Sequence, residues 1–304
     1  MSEYRVLIPL DGSRVAERSF EFLPALKHMG DLGVLLLSAV EAPEDSGTLS
    51  KNEAADREAN VLTTYLHELA GDIDAHLDVK VETKVRRGPV AACILDQAAA
   101  FNPDLIVIAT HGRSGLLRWR LGSVADKVIR AAEHNTLVVG PKAADQARWL
   151  EAELVPAFED VLVPLDGSEL AEEALPVAAA FARRFQSNLH LVRVVPISLI
   201  AEDTSFSYTA GGTIVESLMA ASAGYLDKLA DRLGAEGGLK NVKTDALLGT
   251  AAAQLEEYAT ANSIDLIVMT SHGRGGILRT ALGSVTDRLL GGPAPVLVVR
   301  PRKS

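Results

Sequence analysis

The eight residues at 6–13, VLIPLDGS, return almost unchanged at 161–168 as VLVPLDGS. A longer segment is repeated as well: DLIVIATHGRSGLLRWRLGSVADKV at 104–128 becomes DLIVMTSHGRGGILRTALGSVTDRL at 265–289. The copies lie about 155 to 161 residues apart, whereas the repeats of solenoid proteins recur every 20 to 50 residues or so. The chain is therefore a duplicated domain, and each copy can be compared with the other.

Short apolar runs alternate with helical patterns in the first copy. Five runs predict strands, at 6–9, 34–40, 79–85, 105–109 and 137–139, and helical spacing predicts helices at 14–29, 53–70, 89–101 and 123–132. The second copy repeats this order. Strands that alternate with helices pair in parallel through right-handed crossovers. We therefore expect an α/β protein with two three-layer α/β/α domains, each built on a five-stranded parallel sheet.

The length of 304 residues suits about two domains of ordinary size. We place them at 1–142 and 160–304, joined by a linker at 143–159 that is polar at its start. Hydrophobic residues make up 48% of the chain and charged residues 23%. That composition is typical of a globular protein and argues against a disordered one.

Charge and apolar content exclude several classes of partner. The formal net charge is −10, and acidic residues outnumber basic ones in both copies, which argues against binding to a nucleic-acid backbone. The longest apolar stretch, at 34–40, is too short to cross a bilayer, and no leader precedes the first strand. The single cysteine, Cys93, excludes an intramolecular disulfide and favours a reducing compartment. We expect a cytoplasmic protein without nucleic-acid or membrane partners.

Asp11 is the first charged residue after the first strand, and Asp166 repeats it in the second copy. Ligands of open parallel sheets bind beyond the carboxyl ends of the strands. A carboxylate at that position can accept hydrogen bonds from ribose hydroxyls or from an amino group of a base. The alternative is that Asp-Gly-Ser is a turn whose Asp or Ser caps the next helix.

A glycine-containing loop follows the fourth strand and ends where a helix begins. Gly112 permits close approach of the backbone to a ligand, and Gly122-Ser123 offers helix amides to an anion. The second copy keeps the same spacing with Gly273, Gly283 and Ser284. The repeated arrangement predicts a phosphate site. A Val in place of Gly122 should fill the phosphate space and restrict the backbone that aims the amides.

Arg113 follows Gly112 directly, and Arg274 occupies the same place in the second copy. An arginine beside a phosphate-shaped loop is a candidate for phosphate contact, because its guanidinium donates paired hydrogen bonds. The alternative is an ordinary solvated side chain, as most surface arginines are.

With these residues in view, both copies resemble the universal stress protein family over nearly the whole chain. ATP-binding members of that family carry Gly, two residues, Gly, nine residues, then Gly with Ser or Thr, and an Asp after the first strand. Gly112 with Gly122-Ser123, and Gly273 with Gly283-Ser284, match that pattern. Ala109 and Thr270 stand where the family has its leading glycine.

The resemblance implies a strand order of 3-2-1-4-5 and a site for ATP with Mg²⁺ or Mn²⁺ bound through the phosphates. It places adenine against the backbone at about Ala39 and Val194. The implied nucleotide-binding residues are Asp11, Ala39, Ala109, Gly112, Arg113, Gly122, Ser123 and Val124, with Asp166, Val194, Thr270, Gly273, Arg274, Gly283, Ser284 and Val285 in the second copy. It further implies an intramolecular pseudo-dimer through the last strand of each domain, which could also form a homodimer.

Three functional classes remain open. The first is an ATP-binding sensor or regulator in a stress response. The second is an enzyme, at most a slow ATPase, although the sequence contains no GxxxxGK[ST] motif and no repeated general base near the loop. The third is an interaction scaffold that binds no nucleotide, which the departure at Ala109 and Thr270 favours.

Overall fold

The structure is a computed structural model that describes residues 3–41, 49–110, 121–140, 158–197, 208–239, 241–270 and 282–301. The chain divides into two compact units, Met1–Pro156 and Ala157–Ser304. The division falls inside the segment 143–159 that the sequence predicts to be a linker, most of which lies outside the described residues.

The first unit is built on a parallel sheet with the predicted strand order. Its strands are β1 (Glu3–Pro9), β2 (Asp31–Val40), β3 (Lys80–Arg87), β4 (Leu105–Ala109) and β5 (Thr136–Val139). β2 lies between β1 and β3, while β4 lies between β1 and β5. The order 3-2-1-4-5 and the α/β class are therefore confirmed.

The second unit repeats this sheet. Its strands are β6 (Asp160–Leu165), β7 (Asn188–Pro196), β8 (Asn241–Gly249), β9 (Leu266–Thr270) and β10 (Val296–Val299). β6 pairs with β7 and β9, β7 with β8, and β9 with β10, all in parallel. Each strand thus has the same neighbours as its counterpart in the first unit.

Helices cover the sheet of each unit. In the first unit they are α1 (Leu23–Leu26), α2 (Leu49–Leu77), α3 (Val90–Phe101) and α4 (Ser123–Ala131). In the second they are α5 (Glu169–Glu172), α6 (Leu175–Phe185), α7 (Tyr208–Ala235), α8 (Ala251–Ala261) and α9 (Ser284–Leu289). Val6, Leu7 and Ile8 of β1 are all fully buried, and successive strand residues face opposite sides. Both faces of the sheet are therefore covered, which gives three layers.

Within the described ranges, no helix combines the length and the apolar character that crossing a membrane requires.

The predicted helix at 14–29 is wrong as a single α-helix. The structure has a 3₁₀ helix at Ala16–Phe22, the short α1, and a second 3₁₀ turn at Lys27–Met29. Pro24 explains the break, because it has no N–H to donate to the carbonyl of Phe20 four residues earlier. The Leu23 N–H takes that carbonyl instead, which closes a 3₁₀ turn. In the second unit Pro176 is likewise the second residue of an α-helix, α6, and the separate short helix α5 precedes it.

A buried polar network lies near the start of the second unit's sheet. The imidazole of His190 is fully buried, with Nε2 2.7 Å from Oδ1 of Asp160 and Nδ1 2.9 Å from Oη of Tyr258. The Tyr258 hydroxyl donates to Oδ2 of Asp245 at 2.6 Å, and Nζ of Lys243 lies 3.8 Å from Oδ1 of Asp160. The network ties β6, β7 and β8 to α8.

The first unit carries different residues at the matching positions. Leu35 stands on β2 where His190 stands on β7, and Gln97 stands on α3 where Tyr258 stands on α8. Leu35 is 3% exposed and Gln97 is 5% exposed, so the buried imidazole and phenol of the second unit are replaced by an apolar and an uncharged amide side chain. The two copies share a fold but differ in the chemistry of their interiors.

Candidate functional site

A cavity of about 320 Å³ opens beyond the carboxyl ends of β1 and β4 in the first unit. Pockets for small molecules range from about 300 to 1,000 Å³. Asp11 follows β1 at this edge, Ala109 ends β4, and Gly122 precedes α4. The cavity therefore lies where the sequence predicts a ligand, at the edge where the strand order reverses.

One wall of the cavity is apolar. It is formed by side chains from β2, α3 and β4, namely Leu37, Ala39, Val90, Ile94 and Ile108. Leu37 and Ala39 lie two residues apart on β2 and face the same side of the sheet. Val90 and Ile94 lie one turn apart on α3 and share a helix face. Such a wall suits a flat, weakly polar group such as an aromatic base.

The lining of the cavity also includes polar residues, among them Asp11. The Oδ1 atom of Asp11 accepts the N–H of Ser13 at 2.9 Å, and the Ser13 hydroxyl accepts the N–H of Ala16 at 3.2 Å. Gly12 makes the turn possible with a φ of +79°. Asp-Gly-Ser therefore forms a turn, as one interpretation expected, and Asp11 also lines the cavity.

The second unit forms the same turn. Oδ1 of Asp166 accepts the N–H of Ser168 at 2.9 Å and the hydroxyl of Ser168 at 2.6 Å. Gly167 has a φ of +83°. The Ser168 hydroxyl caps α5 by accepting the N–H of Ala171 at 3.2 Å. Both units therefore form this turn with the same aspartate–amide hydrogen bond and with a glycine of positive φ.

The first turn of α4 borders the cavity through Gly122, Ser123, Val124 and Ala125. The first bond along the helix runs from the N–H of Asp126 to the carbonyl of Gly122 at 2.8 Å. The amides of the three residues between them are those that an α-helix leaves without an intrahelical partner. Among the residues that the structure describes, none has an atom within 4 Å of where a Cβ on Gly122 would lie, so the space at Gly122 is open on that side. An anion would be favoured there by the amides and by the helix dipole.

The backbone at Gly283 matches that at Gly122. Gly283 has φ −62° and ψ 145°, against −61° and 144° at Gly122. The N–H of Asp287 donates to the carbonyl of Gly283 at 2.9 Å, and Ser284 and Val285 form the first turn of α9. Both copies therefore present a helix start with the same backbone to the same sheet edge.

Ala109 and Thr270 end corresponding strands. Ala109 is half-buried and lines the cavity, whereas Thr270 is 4% exposed. Ala39 and Val194 are half-buried near the ends of β2 and β7. The structure thus brings one set of predicted residues together around the cavity: Asp11, Ala39, Ala109, Gly122, Ser123 and Val124. Gly112, Arg113, Gly273 and Arg274 lie outside the described residues.

Sequence reasoning did not identify the residues of the apolar wall or two tyrosines beside the Asp-Gly-Ser turns. The Tyr65 hydroxyl donates to Oε1 of Glu17 at 2.9 Å, and the Tyr225 hydroxyl donates to Oε1 of Glu172 at 2.9 Å. The pairing of Val90 with Ile94 was visible as helical spacing. The two tyrosine–glutamate contacts were visible only as residues that recur in both copies.

The tyrosine hydroxyls beside the site stay protonated. Burial raises the pKa of Tyr65, and the hydrogen bond and charge of Glu17 and the charge of Asp11 raise it further. Burial, Glu172 and Asp166 likewise raise the pKa of Tyr225, although Arg193 opposes them. Both tyrosines are therefore hydrogen-bond donors at any physiological pH.

Among the described residues, no group of three or more His, Cys, Asp or Glu side chains could hold a metal ion. The divalent cation expected from the sequence would be bound through phosphates, so this finding does not bear on it.

Residues 4–140 and 157–300 each match the model of the universal stress protein family. A universal stress protein of Mycolicibacterium smegmatis is 24% identical and aligns with 99% of this chain and 98% of its own length. One from Mycobacterium bovis is 28% identical over 90% of this chain and 85% of its own.

A solved structure of a universal stress protein from Archaeoglobus fulgidus covers 97% of this chain and 98% of its own, with a TM-score of 0.72. The two sequences are 21% identical, so this likeness concerns the fold. A universal stress protein of Methanocaldococcus jannaschii is 29% identical over 48% of this chain and 84% of its own length.

Proposed function

The chain belongs to the universal stress protein family, and we propose from this premise that it binds ATP at the carboxyl edge of its sheets and acts as a nucleotide-dependent sensor or regulator. The observation that carries the proposal is the cavity of the first unit, which joins an apolar wall, a carboxylate and a helix start. These are the three kinds of surface that a base, a ribose and a phosphate chain need.

The apolar wall would hold adenine. Leu37, Ala39 and Ile94 contribute no charged group, and the base would lie against them with its polar edge toward the backbone at the end of β2. The small side chain of Ala39 leaves room for a ring system. Val194 at the matching position of β7 is larger, so we expect the second unit to hold the base differently.

Asp11 would accept hydrogen bonds from the ribose. Its Oδ1 atom is held by the amide of Ser13, and this bond fixes the orientation of the carboxylate before a ligand arrives. A side chain whose rotamer is already fixed loses less entropy on binding. Asp166 is held in the same way in the second unit.

The first turn of α4 would bind phosphate. The amides of Ser123, Val124 and Ala125 and the open space at Gly122 fit an anion of that size. Gly112 and Arg113 would contribute from the preceding loop. When bound with the nucleotide, Mg²⁺ or Mn²⁺ would neutralise phosphate charge.

We expect hydrolysis of the bound ATP to be slow at most. Of the described residues that line the cavity, Asp11 is the ionisable one, and it is engaged by the turn amide. A general base has to lie within hydrogen-bond reach of the attacking water. The protein would therefore hold ATP and report its presence to partners.

The alternative is a scaffold without nucleotide, and the observation that favours it is the side chain of Ala109 at the cavity. A methyl group there keeps a ligand farther from the backbone than a glycine would. The nucleotide content of protein purified without added ligand separates the two proposals.

Calorimetry with ATP and Mg²⁺ tests the proposal directly. We expect two sites per chain in the wild type, one after Gly122→Val, one after Gly283→Val, and none in the double variant. The valine side chain would fill the open space beside the helix amides. Gly71→Val is a matched control, because a Cβ at Gly71 also meets no atom within 4 Å but lies on α2.

The control should bind as the wild type does. Purified protein free of nucleotide, together with no heat at millimolar ATP, would leave the scaffold as the better proposal. Unchanged stoichiometry in both single variants would move the nucleotide away from these helix starts.

A further inference from the structure

In each unit a long helix follows the second strand, α2 in the first unit and α7 in the second, and its tyrosine contacts a glutamate close to the Asp-Gly-Ser turn. The hydroxyl of Tyr65 on α2 donates to Glu17, and that of Tyr225 on α7 donates to Glu172, both at 2.9 Å. The same atoms and the same distance recur, although the two helices differ at many other positions. We call these contacts the Tyr–Glu pairs.

The glutamate of each pair lies in the short helix that follows the turn and is hydrogen-bonded to the serine of the turn. The N–H of Glu17 donates to the carbonyl of Ser13 at 3.3 Å, and the N–H of Glu172 donates to the carbonyl of Ser168 at the same distance. Ser13 in turn donates its N–H to the carboxylate of Asp11. A short hydrogen-bonded path therefore runs from the tyrosine on the long helix to the aspartate at the cavity.

The same helix also packs against the turn. A Cβ on Gly12 would lie 3.7 Å from Cδ2 of Leu62, an ordinary van der Waals contact. Leu62 and Tyr65 are three residues apart on α2 and lie on one helix face. Asp11 is close enough that its charge helps to raise the pKa of Tyr65. α2 therefore lies beside the turn at Leu62 and makes a hydrogen bond through Tyr65 to Glu17, which follows the turn.

We propose that Tyr65 with Glu17, and Tyr225 with Glu172, are positioning residues that hold the Asp-Gly-Ser turn on the long helix so that its aspartate meets a nucleotide. This inference rests on the proposed function, since it assigns a role toward the same ligand. Without the Tyr–Glu pair, the glycine-containing turn would have to become ordered when the nucleotide binds, and that ordering lowers the affinity. The Tyr–Glu pair removes part of that cost in advance.

The two units support their pairs differently. In the second unit Oε2 of Glu172 also accepts a hydrogen bond from Arg232 at 3.2 Å, and the Tyr225 ring faces the guanidinium of Arg193 at 5.1 Å. Asp72 and Ser38 stand at the matching positions of the first unit. The first-unit pair has neither of these arginines, so loss of its tyrosine hydroxyl should have the larger effect.

The experiment uses the full chain with Gly283→Val, so that binding of ATP with Mg²⁺ reports the first unit. Tyr65→Phe should raise the Kd by roughly three- to tenfold, the range expected for one lost hydrogen bond. Tyr258→Phe is the matched control, because it also removes the hydroxyl of a half-buried tyrosine that donates to a carboxylate, at 2.6 Å, but it belongs to the second unit, whose site is blocked by Gly283→Val. The control should lower stability and leave the Kd unchanged.

Rescue separates the hydrogen bond from the bulk of the side chain. Glu17→Gln keeps an oxygen that can accept from Tyr65 and should bind nearly as the wild type does. Glu17→Ala removes the acceptor and should match Tyr65→Phe. Equal losses of affinity in Tyr65→Phe and Tyr258→Phe would mean that the hydroxyl contributes stability alone, which overturns the proposal.

Amide hydrogen exchange in nucleotide-free protein measures, without any ligand, how far the Tyr–Glu pair orders the turn. Tyr65→Phe should speed exchange at residues 12–17, and Tyr258→Phe should not. If the wild type binds no ATP, the proposed function is wrong, but the exchange measurement still shows whether the Tyr–Glu pair orders the turn. If residues 12–17 exchange at the wild-type rate in Tyr65→Phe, the proposed positioning role is wrong, whatever the binding measurement gives.

Discussion

Gly12 and Gly167 make the Asp-Gly-Ser turn possible in the two units. Each has a positive φ, +79° and +83°, which side chains with a Cβ rarely adopt. The sequence left open whether Asp11 caps a helix or meets a ligand. The structure shows that one oxygen of Asp11 serves the turn while the residue still lines the cavity, so the two roles do not compete.

If Gly122 contributes to the proposed phosphate site, it does so through its lack of a side chain and not through its backbone conformation. The sequence predicts that Val at this position would restrict the φ and ψ that aim the amides. With φ −61° and ψ 144°, Gly122 instead has an extended backbone that valine adopts readily. The expected loss of binding in Gly122→Val therefore rests on the space that the side chain would fill.

Glu21 is a buried carboxyl close to the turn of the first unit, and its titration makes a prediction at the scale of one residue. It is 9% exposed, and its Oε1 atom has no hydrogen-bond partner among the described residues. Burial raises the pKa of Glu21 to about 7, although the charge of Arg18 opposes the shift. The unfolded chain has the ordinary, lower pKa, so folding takes up a proton between these two values.

Stability should therefore be greatest below about pH 4.5 as far as Glu21 is concerned, fall as the pH rises toward 7, and level off above it. Glu21→Gln should remove this fall and stabilise the protein at pH 8. Urea unfolding at several pH values measures the effect, with exposed Glu68→Gln as the control. Parallel pH profiles for wild type and Glu21→Gln would show that the carboxyl is solvated.

At the scale of elements, the sequence predicts strands better than helix ends. The buried strands follow from their apolar runs, and both sheets have the expected neighbours. The helix predicted at 53–70 instead spans Leu49–Leu77, and at its end the buried Ile73 and Leu77 continue the apolar face of Leu66 beyond the predicted boundary. The break at Pro24 was available from the sequence, since a proline ten residues inside a helix removes a donor.

The network around His190 joins three strands and a helix, and Asp160 makes its response to acid predictable. Burial raises the pKa of Asp160, but hydrogen bonds from His190 and Asn188 and the charges of His190 and Lys243 outweigh it, so the pKa lies below its ordinary value. A depressed carboxyl stabilises the fold above the unfolded pKa of about 3.9 and loses this effect as the pH falls.

We expect Asp160→Asn to be less stable than the wild type at pH 7 and to approach it as the pH falls below about 4. Thermal melts between pH 7 and 3 measure the difference, and Asp74→Asn, an exposed carboxyl on α2, is the control. A difference that stays constant across this range would mean that the charge of Asp160 contributes nothing and that the variant disturbs packing alone.

At the scale of the whole molecule, the repeated segments predict two domains of one fold, and the family match covers both. The position of the first site followed from strand topology, and Asp11 with Gly122 lies at the cavity as that topology requires. The apolar wall could not be predicted, because Val90 and Ile94 look like ordinary core residues until the fold shows which face is open. The segments 111–120 and 271–281 lie outside the described residues, so phosphate contact by Arg113 and Arg274 stays a prediction.

Each last strand should mediate contact between domains. β5 and β10 are short, apolar and terminal in the strand order of their own units. An apolar strand at a sheet edge favours pairing with another strand. We therefore expect the isolated first domain, residues 1–142, to form dimers at high concentration, which sedimentation equilibrium would detect. A strictly monomeric fragment would contradict the predicted pseudo-dimer.

The different interiors of the two copies bear on how the chain is made. A polypeptide that contains one fold twice can exchange strands between the copies while it emerges from the ribosome, and tandem domains misassemble in this way. If β2 took the place of β7, Leu35 would face Asp160 in the position of its imidazole partner. If β7 entered the first sheet, His190 would arrive near the cationic Arg5. Such an exchange would leave Asp160 without its imidazole partner, so we expect the different interiors of the two copies to favour assembly of each strand into its own sheet.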